Sequence, residues 1–321
     1  MAQFFAYKPT NIIQVQNFSG WVLESTAQRI IVTDGTLYAV YEGYFQYGTG
    51  SPEGAIQRFT YGDVKDMYFQ VDGLNYDASL FDYLATSGRT AQLAADILSD
   101  DDYIGGSEGN DVLSGFEGND RVETGGGNDI ILETQGNDLT DGGDGLDMIV
   151  LTGRTQDYTF SRQGPGVIIG DPALGERDEV YAVERFRFAD GTLALDTGTG
   201  ENAGVVFRTY QAAYDRTPDQ AGLGFWINAA DQGTSFEQIA AGFLQSSEFA
   251  AAYGTNPSAE TFVAKLYENV LGRPGEQGGI DFWKSALADG MDEATVLYRF
   301  AESSENVALL APQIQDGIFF V

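Results

Sequence analysis

A chain of 321 residues with 48 acidic and 17 basic side chains carries a formal charge of −31, which disfavours nucleic acid as a partner and calls for a cationic one. Cysteine and histidine are both absent, so disulfides, thiolate or imidazole catalysis, and the usual zinc and haem ligand sets are ruled out. No run of about 18 apolar residues occurs, so no membrane span is expected, and the length suits roughly two or three domains with ordinary cores.

The N-terminal "MAQFFAYKPTNIIQVQ" lacks a basic region followed by a continuous apolar one, and so does not read as a Sec signal peptide. Residues 1–96 read mainly as strands and turns, with β-formers in "RIIVTDGTLYAVYEGYFQY" and "DMYFQVDGL" punctuated by Gly, Asp and Pro. A helical-looking run, "ASLFDYLATSGRTAQLAADIL", then leads into a nine-residue array that begins near Ile97.

Written in nines, residues 106–150 are GSEGNDVLS, GFEGNDRVE, TGGGNDIIL, ETQGNDLTD and GGDGLDMIV, preceded by the weaker ILSDDDYIG. Position six is always Asp: Asp102, Asp111, Asp120, Asp129, Asp138 and Asp147. Position eight is Ile104, Leu113, Val122, Ile131, Thr140 and Ile149, which gives each unit one inward side chain on a very short strand. Position four supplies Gly109, Gly118, Gly127, Gly136 and Gly145, expected at positive φ in turns that aim carbonyl oxygens inward. Residues 97–151 hold 14 acidic residues against one basic, Arg121, so the array repels itself unless a cation joins the fold. Calcium suits carboxylate plus carbonyl ligands with loose geometry better than magnesium, which demands a tight octahedron and keeps its water.

After the array, residues 152–200 return to short apolar runs between turns and read as a β cap and linker, with the polar "DTGTGENAG" at 196–204 as the connecting stretch. Beyond it the period becomes helical. Sliding the chain by 57 residues places Tyr210, Arg216, Gly222, Phe225, Trp226, Gly233, Phe243, Ser246, Ser247 and Glu248 on Tyr267, Arg273, Gly279, Phe282, Trp283, Gly290, Phe300, Ser303, Ser304 and Glu305. Two helical units that pack on each other are expected, their Trp and Arg serving structure rather than a glycan ligand.

The nonapeptides resemble the RTX family, whose GGxGxDxUx repeat binds calcium. The resemblance covers about one sixth of the chain. It implies a parallel β roll in which two units make one turn and calcium sits between same-side loops, with Asp111, Asp129 and Asp147 on one side and Asp102, Asp120 and Asp138 on the other. On the order of three or four ions would be shared between stacked loops. Ser107, Phe116 and Thr124 depart from the double Gly of the family, and the fourth unit departs furthest, with Glu133, Thr134 and Thr140, which implies a weaker site there. "DEVYAVERFRFADGTLALD" resembles the segment that closes such rolls, with Val183, Phe186 and Phe188 as core and Asp190 and Gly191 as a turn. The 57-residue repeat resembles a helical domain of unknown function, similar to phycobilisome linker repeats, that accompanies RTX arrays in surface and matrix proteins; "YENVLGRPGEQGGIDFW" carries the pattern best. The ending "DGIFFV", with Asp316 before four apolar residues, resembles substrates of ABC-transporter (type I) secretion.

The expected fold class is therefore multidomain β plus α: an N-terminal β domain (1–96), a calcium-binding β roll (97–151), a β cap and linker (152–200), and a C-terminal all-α bundle of tandem repeats (201–321). The expected function is a secreted, non-catalytic calcium-binding protein of a bacterial surface or matrix, with itself or a cell-surface polymer as partner. The alternative is an exported polysaccharide hydrolase or lyase that uses a carboxylate pair. No HExxH or GxSxG motif occurs, and none of Lys8, Lys65, Lys265 and Lys284 lies in a recognisable Ser–Lys motif. A cytolytic toxin ranks last, because no amphipathic or long apolar membrane segment is present.

Overall fold

A computed structural model describes residues 1–8, 10–12, 21–47, 53–87 and 89–321; of the N-terminal segment quoted above, Pro9 and residues 13–16 lie outside them. The chain divides into two compact units, Met1–Ala189 and Asp190–Val321. Among the described residues no helix is long and apolar enough to cross a membrane.

The first unit opens with β1 (Gln3–Ala6), β2 (Trp21–Ser25), β3 (Arg29–Thr33), β4 (Leu37–Gln46), β5 (Glu53–Asp63), β6 (Met67–Asp72) and β7 (Tyr76–Asp77), which form the antiparallel order β1-β6-β5-β4-β3-β2 with β7 on β5. Helices α1 (Ala78–Thr86) and α2 (Thr90–Ile97) follow, as the run of Leu, Phe and Ala predicts. Asp77 starts α1 by accepting from the amides of Ser79 and Leu80, satisfying two of the donors that a helix start leaves open. Phe81 of α1 meets Tyr41 and Phe59 edge-on or tilted at 5.4 and 5.3 Å, and Phe69 closes on Phe59 and Phe4, so an aromatic core lies between helix and sheet.

The array follows as six three-residue strands: β8 (Tyr103–Gly105), β9 (Val112–Ser114), β10 (Arg121–Glu123), β11 (Ile130–Leu132), β12 (Leu139–Asp141) and β13 (Met148–Val150). Odd and even units go to different sheets. Parallel pairs β8-β10-β12 set Ile104, Val122 and Thr140 in register, and β9-β11-β13 set Leu113, Ile131 and Ile149 in register. All six are buried, so the coil owes its core to position eight, one side chain per unit.

After a β14 (Thr159–Gln163) and β15 (Gly166–Asp171) hairpin, β16 (Glu176–Tyr181) and β17 (Arg185–Phe188) resume the coil. β16 pairs parallel to β12 with Val180 opposite Thr140, and β17 pairs parallel to β13 with Phe186 opposite Ile149. Val183, Phe186 and Phe188 are buried, as the expected closing segment requires. At the other end β1 pairs parallel to β8, so one continuous sheet joins the N-terminal strands to the array.

The second unit holds β18 (Gly191–Ala194), eight helices, α3 (Asn202–Tyr214), α4 (Gln220–Asp231), α5 (Phe236–Leu244), α6 (Ser247–Tyr253), α7 (Ala259–Leu271), α8 (Gln277–Ala288), α9 (Glu293–Ala301) and α10 (Ser304–Ile314), and then β19 (Ile318–Phe320). The first four helices begin 57 residues before the last four, pair by pair. The repeated residues are the packing. Trp226 stacks on Phe243 at 5.1 Å and Trp283 meets Phe300 at a tilt at 5.0 Å, while Tyr210 and Tyr267 meet those same phenylalanines edge-on. Arg216 pairs with Glu248 and Arg273 with Glu305, and Ser246 and Ser303 cap α6 and α10. A Cβ at Gly222 or Gly279 would lie 2.9 or 2.2 Å from the hydroxyl of Tyr210 or Tyr267. The Trp residues are half-buried, not fully so. The unit is also not purely helical: β19 pairs antiparallel with β18 and buries Ile318 and Phe320, because the apolar ending finds a strand partner instead of a helical one.

Candidate metal centre

The loops between the short strands carry Asp at position six, and each carboxylate is held by the backbone of the unit two before it. On one side Asp111 donates its amide to Oδ1 of Asp129 at 2.7 Å and Asp129 to Oδ1 of Asp147 at 2.8 Å. On the other, Asp102 donates to Oδ1 of Asp120 at 2.7 Å and Asp120 to Oδ1 of Asp138 at 2.8 Å. The two rows contain the residues that alternation by 18 predicts. Their first members accept from the N-terminal segment: the Ala2 amide donates to Asp102 and the Thr10 amide to Asp111.

In four of the six carboxylates one oxygen is thus satisfied and the other is not. Oδ2 of Asp102, Asp120, Asp129 and Asp147 is buried without a hydrogen-bond partner, and none of these residues is more than 3% exposed. A buried anion with an orphaned oxygen is costly unless a cation meets it. Burial pushes the carboxyls of Asp120, Asp138 and Asp147 up to about 7, and neighbouring carboxylates add to the rise. Asp102 and Asp129 are raised for the same leading reason.

The glycines explain how the loops come so close. Gly118, Gly127, Gly136 and Gly145 have φ of 134°, 120°, 137° and 143°. A Cβ at Gly136 would lie 1.6 Å from the Gly118 carbonyl oxygen, and one at Gly145 would lie 1.7 Å from that of Gly127. Gly109 differs from expectation, since it is not among the positive-φ residues. Eighteen residues before it the chain is in α2, so no nonapeptide loop precedes it in the stack, while on its other side a Cβ at Gly127 would lie 2.6 Å from its carbonyl carbon.

Among the described residues no three acidic side chains converge as a cage. A cation in these rows would therefore draw on pairs of carboxylates and on backbone carbonyls, the hard oxygen set that suits calcium. Four of the departing residues do something definite. The Ser107 amide and Oγ donate to Oδ2 of Asp111 at 2.7 and 2.9 Å, so this carboxylate has both oxygens occupied. Phe116 takes the Gly-like φ of 67°. Thr124 donates its hydroxyl to the Gly142 carbonyl. Glu133 is half-buried, accepts from the Tyr158 hydroxyl at 3.2 Å, and has its carboxyl pushed up to about 7 by burial.

Residues 98–131 match the family model of the RTX calcium-binding nonapeptide repeat, in four copies. The array is an RTX calcium-binding repeat. Residues 198–252 and 240–310 match a domain of unknown function, DUF4214, in two successive copies. Among solved structures the chain is similar to the extracellular lipase LipA from Serratia marcescens, at 26% identity over 27% of this chain and 14% of that one, with a TM-score of 0.26. No curated protein matches the chain.

Two groups of residues that stabilise the RTX loops escaped the sequence reading. Asn at position five forms a second ladder: Oδ1 of Asn110 accepts from the Asn128 amide at 2.8 Å, and Oδ1 of Asn119 from the Asn137 amide at 2.9 Å. Its signal was the GND triplet repeated in four successive units. Asp178 and Glu184 extend the carboxylate rows past the repeats, accepting from the amides of Asp138 and Asp147 at 2.9 Å each. No nine-residue period marks them.

Proposed function

We infer that this protein is a secreted, non-catalytic calcium-binding protein whose roll closes on calcium outside the cell, and that it serves adhesion or assembly at a bacterial surface or in an extracellular matrix. The observation that carries the reading is the pair of carboxylate rows with orphaned Oδ2 atoms at Asp102, Asp120, Asp129 and Asp147. Calcium would sit against those atoms and the carbonyls of the Gly109, Gly118, Gly127, Gly136 and Gly145 turns, with Asp111 and Asp138 completing the rows. Bound calcium supplies positive charge that offsets the buried carboxylates. The chain's own residues align the loops through the amide-to-carboxylate ladder.

Extracellular calcium modules commonly have dissociation constants of about 10⁻⁴ to 10⁻³ M, so the roll stays open in a calcium-poor cytosol and closes after export. RTX repeats support export by the type I route, and the proposed organisation runs from β domain through β roll and cap to helical tandem domain. The tandem domain uses its repeated Trp, Arg and Glu internally, which supports a role as a rigid module.

The test is sedimentation of the full chain at rising calcium, with and without isolated bacterial envelope, alongside an assay for release of sugars from envelope polysaccharide. Calcium-dependent growth of species or envelope binding, with no sugar released, is the expected outcome. A monomer that ignores envelope at millimolar calcium yet cleaves polysaccharide would replace this reading with the hydrolase or lyase one.

A further inference from the structure

The backbone bonds that define each nonapeptide continue beyond the repeats. Position seven donates to the carbonyl of position six two units before: Leu139 to Asp120 and Met148 to Asp129, then Glu179 to Asp138 and Arg185 to Asp147. Position one donates to the carbonyl of position nine in the next unit: Gly106 to Glu123, Thr124 to Asp141, and then Gly142 to Tyr181. By these bonds Asp178 and Glu184 stand at position six, Val180 and Phe186 at position eight, and Ala182 at position one. The stretch "DEVYAVERF" is thus a cryptic turn of the coil. Its loop has three residues, 182–184, where the preceding loop on the same side has six, 142–147. This shortening hides it from any search for a nine-residue period.

The short loop brings oxygen atoms to one place. A Cβ at Gly142 would lie 2.1 Å from the Ala182 carbonyl oxygen and 2.7 Å from Oδ2 of Asp147. That Oδ2 is orphaned, on a residue that is 0% exposed. Glu184 is tied to the same aspartate, accepting from its amide at 2.9 Å. Ala182 holds its carbonyl there from a φ of 49°, a left-handed conformation that alanine adopts at a cost. Upstream, a Cβ at Gly106 would meet the Thr124 carbonyl oxygen at the same 2.1 Å, so Ala182 reproduces the carbonyl of a true repeat.

We propose that Asp147, the Ala182 carbonyl and Glu184 form a terminal calcium site that closes the roll on residues outside the repeats. The proposal rests on the calcium reading above and adds Ala182 and Glu184 to the ligand set. Charge and geometry agree: two carboxylates and a carbonyl are hard donors, and the missing side chain at Gly142 lets the Ala182 carbonyl and Asp147 approach one another. The site also explains why the cap belongs to the roll, since an ion held there would fasten β17 to β13.

The experiment is a calcium count per chain by equilibrium dialysis and elemental analysis, with a binding isotherm, on wild-type protein and Glu184→Gln. The amide keeps an oxygen for the Asp147 amide but loses the charge. One ion fewer per chain, or a final binding step weaker by about tenfold or more, is expected. Glu179→Gln, on an exposed side chain of β16, controls for general charge and should bind as wild type. Unchanged count and affinity in Glu184→Gln, or an equal loss in Glu179→Gln, would overturn the proposal. If Glu184→Gln does not fold, Gly142→Ala sets a Cβ against the Ala182 carbonyl and Oδ2 of Asp147 and must remove the same ion; full binding by that variant would overturn the proposal. Wild-type protein that binds no calcium at all would instead overturn the underlying reading.

Discussion

In calcium-free buffer, acidification should fold the roll and neutralisation should open it. The carboxyls of Asp120 and Asp147 move from an ordinary 3.8 to about 7 in the folded coil, chiefly through burial. Below about pH 4 both folded and unfolded chains are protonated, and neither group opposes folding. Between 3.8 and 7 the unfolded chain ionises while the folded one holds its protons, so stability falls as pH rises through this window. Above 7 the full penalty is present, roughly 4 kcal/mol for each of these two buried groups. Together they cost about 8 kcal/mol, comparable to the whole stability of a typical domain, roughly 5–15 kcal/mol. Asp138 and Asp178 shift in the same direction but are only half-buried, so solvent screens some of their effect. Hydrogen exchange read by mass spectrometry on peptides within residues 102–150 is the assay, in buffer stripped of calcium by a chelating resin. Protection at pH 4.5, its loss at pH 7.5, and its return at pH 7.5 with calcium are expected. Equal protection at both pH values without calcium would refute the reasoning.

Gly145→Ala should destabilise the calcium-loaded roll by about 3 kcal/mol or more, since its Cβ would lie 1.7 Å from the Gly127 carbonyl oxygen at a φ of 143°, whereas Gly164→Ala, with φ 61° and nothing within 4 Å, should cost about 1 kcal/mol; thermal melts at saturating calcium separate the two. In the helical unit, Arg208→Ala breaks a buried pair with Glu302, whose side chains are 1% and 9% exposed, and frees the carbonyls of Thr197 and Gly198, so a loss of about 3–5 kcal/mol is expected in urea melts. Arg273→Ala removes a pair exposed at 39% and 58% and should cost under about 1 kcal/mol in the same melts.

The regions of this molecule that could be read in advance are those in which side-chain chemistry recurs at a fixed interval. Asp at every ninth residue marked both carboxylate rows, and Trp226, Phe243, Trp283 and Phe300 marked the two helical copies, because each interval equals one structural unit. The amides of Ala2 and Thr10 that begin the rows act through the backbone, across 100 and 101 residues, and leave no trace in residue type. Asp178 and Glu184 have the right side chains, but a hairpin separates them from the array and the loop between them is three residues short. Ser107 was visible as a departure from Gly, yet its use, occupying Oδ2 of Asp111, depends on how the loop folds back. The ending Ile318–Phe320 carried apolar content without a period, and only its pairing with β18 made it a strand.

Anomalous diffraction from crystals grown in calcium decides whether the two carboxylate rows are the metal centre. Peaks between stacked loops, within bonding distance of Oδ2 of Asp102, Asp120, Asp129 and Asp147, are the expected result; a folded roll with those oxygens free of metal, or calcium bound only elsewhere on the chain, would contradict it.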